Sequence, residues 1–210
     1  MFLATYLLYL AAVALLVLSP GPTMLMCITT AIHHGPRKAM LSASGSVTAV
    51  LGVMLLSALG LGALLAASEV AFAIAKLLGA SYLIALGLKT FRSEGTVLAN
   101  DSVSGSSPIN NRSSYLRGFL VGASNPKALL FFAAFFPQFL NPAAAFAPQF
   151  AILALTFVAV ELTMLTACSL GVSRIAPLLR QAAAMRWVNR ICGGLFTLMG
   201  AALLFTRRQA

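Results

Sequence analysis

Residues 1–30 read MFLATYLLYLAAVALLVLSPGPTMLMCITT, an apolar run without a charged side chain, interrupted at Ser19-Pro20-Gly21-Pro22. A bilayer-spanning helix needs about 20 mainly apolar residues, so this run is long enough to cross. Its start resembles the apolar core of a signal peptide. It lacks a basic leading region, however, and passes straight into the proline-rich turn, so it reads as a retained first span. Working outward, further apolar runs fall at approximately 40–66, 70–91, 115–139, 148–172 and 191–206, which with the first (2–30) makes six.

Composition agrees with that count. Of 210 residues, 60% are apolar and 9% charged, where soluble domains have about 45–50% and about 25%. A water-facing surface cannot be built from so little charge. The net charge of +10 could suggest nucleic acid, but the basic residues are not gathered into a phosphate-binding patch. Ten of the fourteen, from Arg37 and Lys38 to Arg186 and Arg190, lie at the ends of apolar runs or between them. There they set orientation and can touch anionic lipid.

The connections alternate in charge. Residues 33–38 carry Arg37 and Lys38, residues 89–117 carry Lys89, Arg92, Arg112 and Arg117, and residues 174–190 carry Arg174, Arg180, Arg186 and Arg190. The connections at Ser68-Glu69 and Asn141-Pro142 carry no basic residue. With the basic loops cytoplasmic, both termini lie outside, and only Arg207 and Arg208 offend the rule. Residues 93–114, rich in Ser, Asn and Gly, read as a flexible cytoplasmic linker. The expected fold is therefore an all-α membrane protein of six transmembrane helices. Its two inverted three-helix halves, 1–92 and 115–210, are joined by that linker.

Pro20-Gly21-Pro22 lies inside span one and Asn125-Pro126 inside span four, at corresponding places in the two halves. Proline lacks an N–H and clashes with the preceding turn, so both spans should be broken. Freed backbone groups are tolerated at membrane depth where they face protein or a water-filled cavity, and paired breaks of this kind mark solute sites in transporters.

Two ionisable residues lie near the middles of spans. Lys127 and Glu161 each cost at least ~2.5–3.5 kcal/mol to insert, and such residues are functional by default. They could pair with one another, or Glu161 could gain and lose a proton as a coupling group. Glycines at four-residue spacing, Gly118 and Gly122, and the series Gly193, Thr197 and Ala201, read as packing faces, as do Gly45, Gly52, Gly60 and Gly62 in span two. The buried-reading cysteines Cys27, Cys168 and Cys192 have no metal-ligand spacing, and adjacent His33-His34 point in different directions. No catalytic triad, phosphate-binding loop or carboxylate pair appears, so neither an enzyme nor a cofactor is expected.

Several motifs resemble those of the LysE/RhtB family of bacterial amino-acid exporters. They are Ser19-Pro20-Gly21-Pro22, Gly79-Ala80-Ser81-Tyr82-Leu83, Gly118-Phe119, Asn125-Pro126-Lys127-Ala128 and Phe136-Pro137-Gln138-Phe139. The resemblance covers essentially the whole chain. It implies efflux of amino acids or close derivatives across the cytoplasmic membrane, driven by the proton gradient or membrane potential. Family members often carry an acidic residue where Glu161 lies. Many also have Asp or Asn after the Pro-Gly-Pro turn, where this chain has the uncharged Thr23.

The site expected from both readings comprises Pro20, Gly21, Pro22, Thr23, Asn125, Pro126, Lys127 and Glu161. Its partners are an amino-acid substrate and protons, with lipid around the protein and the glycine faces available for a homo-oligomer. Nucleic acid and metal are not expected partners. A metal-cation exporter and a non-transporting membrane scaffold are the rival readings.

Overall fold

The computed structural model describes residues 3–67, 69–93, 110–141, 143–172 and 181–205. Most of the expected linker, together with Arg174, Arg180, Arg207 and Arg208, lies outside the described residues. Among the described residues the chain is all-helical, with eight α-helices, one 3-10 helix and no strand.

The first apolar run forms two helices, α1 (Leu3–Leu18) and α2 (Pro22–His34), bent by 50° at the break between them. Pro20 has no N–H to offer the carbonyl of Leu16, so α1 stops; Pro22 then opens α2 at a position where no N–H is needed. Helix α2 closes on Gly35, whose φ of 81° suits glycine and whose N–H bonds the Ala31 carbonyl at 3.1 Å. Helices α3 (Pro36–Ala67) and α4 (Glu69–Phe91) follow. The expected fourth span is split at Asn125 into α5 (Asn111–Ser124) and α6 (Pro126–Ala134). It ends earlier than residue 139, because Pro137 cannot continue the ladder and Phe136–Phe139 tighten into a 3-10 turn. Helix α7 (Phe146–Leu170) and helix α8 (Ala182–Phe205) complete the chain.

Pro36–Gly60 and Phe146–Leu170 are each long and apolar enough to cross a membrane, and the bent α1–α2 pair makes a third such unit. Their outer surfaces agree. Leu3, Leu56 and Leu155 are exposed, and apolar area of this extent is what lipid covers. Helix α8 starts nine residues before the expected 191, because Ala182, Ala183 and Ala184 favour helix. Arg186 and Arg190 therefore sit exposed on a helix rather than in a loop, beside exposed Trp187. Long basic stems and an indole suit the membrane interface. His33 and His34 likewise belong to the last turn of α2 rather than to a loop.

Two close helix pairs frame the molecule, α3 against α5 and α4 against α8. A Cβ placed on Gly118 would overlap the Ser42 carbonyl, one on Gly45 the Tyr115 carbonyl, and one on Gly122 the Ser46 backbone. The glycine spacing thus lets α5 lie directly on the α3 backbone. Between α4 and α8 the same role falls to Gly87, Gly193 and Gly200. Gly52 and Gly60, by contrast, have open space beside them.

Inside, aromatic rings tie the second break to α1 and α7. Tyr9 stacks edge-on against Phe139 at 5.0 Å and Phe132 against Phe157 at 4.9 Å. The Tyr9 hydroxyl donates to the Leu153 carbonyl at 2.9 Å. Gly118→Val should destabilise the protein in detergent by at least ~1–3 kcal/mol, the usual cost of overpacking. Gly52→Val should leave the melting temperature nearly unchanged; similar melting of both variants would refute the packing assignment.

Candidate functional site

The breaks in α1–α2 and α5–α6 meet, and each supplies the partner that the other lacks. Pro126 takes the first position of α6, and Asn125 caps it, its side-chain oxygen accepting from the Lys127 N–H at 3.1 Å. The Asn125 amide nitrogen also donates to Thr23 Oγ1 at 3.1 Å. Thr23 in turn exchanges a hydrogen bond with Ser46 Oγ at 3.4 Å. Asn125, Thr23 and Ser46 are all buried, so this chain of side chains stitches α6, α2 and α3 together away from solvent.

Lys127 reaches in the opposite direction. Its Nζ donates to the Leu16 carbonyl at 2.6 Å and to the Ser19 carbonyl. A cation at the start of α6 opposes that helix's own dipole, but the same cation lies at the C-terminal end of α1, where positive charge is favoured. Leu16 is the residue whose carbonyl Pro20 leaves without its usual N–H donor. Gly21 provides the room: a Cβ there would come within 3.2 Å of Lys127 Nζ. Tyr82 adds a long hydrogen bond of 3.4 Å to the Pro126 carbonyl.

Glu161 stands on α7, half-buried, near enough for its charge and that of Lys127 to act on one another. The two make no ion pair among the described residues; the Lys127 ammonium is held by backbone carbonyls instead. Cys27 approaches the Leu165 carbonyl, one turn after Glu161 on α7, at 3.6 Å. Leu162, beside Glu161, packs against both hydrophobic clusters of the core. Pro20, Gly21, Pro22, Thr23, Asn125, Pro126 and Lys127 are therefore one constellation, with Glu161 adjacent but not in contact.

Sequence reasoning missed the two carbonyls and Ser46. The carbonyl of Leu16 could have been found by counting four residues back from Pro20. Ser46 could have been found from its four-residue spacing with Ser42, facing the Gly118–Gly122 pair. Arranged this way, the site offers hydroxyl and amide groups, carbonyl acceptors, one ammonium and one carboxylate, which is a set suited to a small polar solute with charged ends.

The family model described as LysE type translocator matches residues 14–207. The homoserine/homoserine lactone efflux protein of Salmonella typhimurium is 35% identical over 199 residues, covering 95% of both chains. An uncharacterized membrane protein of Vibrio cholerae is 27% identical over 98% of both. The leucine efflux protein of an Enterobacter species is 33% identical over 65% of this chain and 64% of its own. No solved structure matches the chain.

The hydrogen bond between the breaks generates a measurable coupling. Thr23→Ala and Asn125→Ala should each destabilise the protein, Asn125→Ala by ~1 kcal/mol or more through its lost cap. Together they should fall short of additivity by ~0.5–1.5 kcal/mol, the range for interhelical hydrogen bonds in membranes. Strict additivity in thermal unfolding would mean that the contact carries no energy.

Proposed function

The chain belongs to the LysE-type translocator family, and from that premise we propose that it exports an amino acid or close derivative across a bacterial cytoplasmic membrane. The relatives named for homoserine, homoserine lactone and leucine efflux support this substrate class. On this reading the chain forms six spans in two inverted halves, with both termini outside. The alternation of basic loops and the two broken helices support that arrangement.

The observation that carries the proposal is the meeting of the two breaks around Lys127, Asn125 and Thr23. Freed backbone groups and helix ends there hold the charged ends of the solute. Lys127 receives its carboxylate, while Glu161 handles the proton or the ammonium group. Coupling to the proton gradient is supported by the half-buried carboxyl of Glu161, which makes no ion pair among the described residues. A metal cargo would find less to hold it, since no three His, Cys, Asp or Glu side chains converge among the described residues.

Cells loaded with a dipeptide and overproducing the protein should release the corresponding amino acid faster than controls. Glu161→Gln and Lys127→Met should each lower that release at least about tenfold, in line with loss of a proton-transfer or charge-pairing group. Undiminished efflux from variants present in the membrane at normal levels would remove both residues from the mechanism. Absence of solute flux in liposomes containing the purified protein would favour a scaffold.

A further inference from the structure

Leu16 and Ser19 present two backbone carbonyls to a single ammonium group. Neither carbonyl is engaged by an N–H of a continuing helix. Pro20 removes the donor that Leu16 would use, and Ser19 lies beyond the end of α1. Carbonyl oxygens grouped at a helix C-terminus favour a cation, and a bond from a charged donor is stronger than a neutral one. An ammonium group has three N–H donors and no acceptor, which matches a cluster composed of acceptors alone.

The present occupant is held on a flexible tether. Lys127 carries its ammonium on a flexible four-carbon stem, and the residue retains accessible surface. Gly21, lacking a Cβ, lets the end of the Lys127 side chain lie close against its backbone; a Cβ would come within 3.2 Å of Nζ and 3.5 Å of Cε.

We propose that the Leu16 and Ser19 carbonyls form a binding site for a solute's primary ammonium group, and that Lys127 is the resident cation displaced when the solute arrives. This names the recognition chemistry of the site and rests on the amino-acid reading given above. The exchange conserves charge within the low-dielectric interior. One ammonium enters the carbonyl pair as another leaves, and the released Lys127 meets the solute's own carboxylate. A quaternary ammonium, having no N–H, is rejected, and so is an amine blocked by acylation.

The test uses the purified full-length protein in detergent. Lys127→Ala removes a group the size of propylammonium, and that cation should raise the melting temperature of the variant saturably. Its apparent affinity should be about tenfold or more tighter than for the wild-type chain, whose site is already filled. Tetramethylammonium at the same concentration should have no such effect. Lys127→Met, which keeps the stem's packing and loses only the terminal nitrogen, should respond in the same way to ammonium. Adding Pro20→Ala to Lys127→Ala returns an N–H to the Leu16 carbonyl and should abolish the response. Equal effects of N–H-bearing and quaternary cations in both variants, or a response indifferent to Pro20→Ala, would overturn the proposal. Because only cation binding is read, a failure of amino-acid export and a failure of this site remain distinguishable.

Discussion

A proline inside an apolar helix strips the carbonyl four residues earlier of its donor, and hydrocarbon provides no replacement. Each such carbonyl left bare would cost several kcal/mol, so every break must find another donor within the protein. Three breaks show how this is met. Pro20 frees Leu16, which takes the Lys127 ammonium. Pro126 frees Gly122, which the N–H of Asn125 reaches at 3.3 Å. Pro137 frees Ala133, and Ser57 Oγ of α3 approaches its carbonyl at 3.2 Å and that of Phe132 at 2.8 Å.

The partners bind the two parts of the chain to one another. Lys127 and Asn125 follow the linker in sequence, yet they bond Leu16, Ser19 and Thr23 in the first apolar run. Any one hydrogen bond of this kind contributes only ~0.6–2 kcal/mol in a membrane. Their geometry depends on the glycines. With no Cβ at Gly122, α5 settles on the Ser46 backbone, and Ser46 is then in place to meet Thr23, which meets Asn125. Dispersion along the α3–α5 seam and the polar chain at its end thus support a single arrangement.

Helix type and the positions of the breaks were legible because both are local properties. An apolar run of sufficient length, or a proline within it, can be read without knowing what lies nearby. Lys127 and Glu161 were legible as unusual for the same reason. What Lys127 binds was not, since a backbone carbonyl leaves no mark in the side-chain sequence and a carboxylate was the obvious alternative. The early start of α8 is not legible because Arg186 and Arg190 carry a loop's charge; on an exposed helical face beside Trp187 they need not leave the helix. The role of Ser57 is illegible in sequence because a single hydroxyl in an apolar span has no mark of its partner, a proline-freed carbonyl 76 residues away.

Ser57 also sharpens the meaning of Lys127. A neutral hydroxyl suffices to serve the carbonyl freed by Pro137, at little insertion cost. At the first break the same duty falls to a full positive charge, placed moreover at the start of α6, where the local dipole opposes it. If satisfying Leu16 were the whole requirement, a neutral donor of comparable reach, such as a glutamine amide, would do so without inserting a full charge. A structural ion pair would account for the charge, but the carboxylate of Glu161 is not in contact with it. Two opposite charges kept within mutual influence yet apart leave each able to take another partner. That separation is what a site must have if charged groups are to be exchanged there rather than merely neutralised.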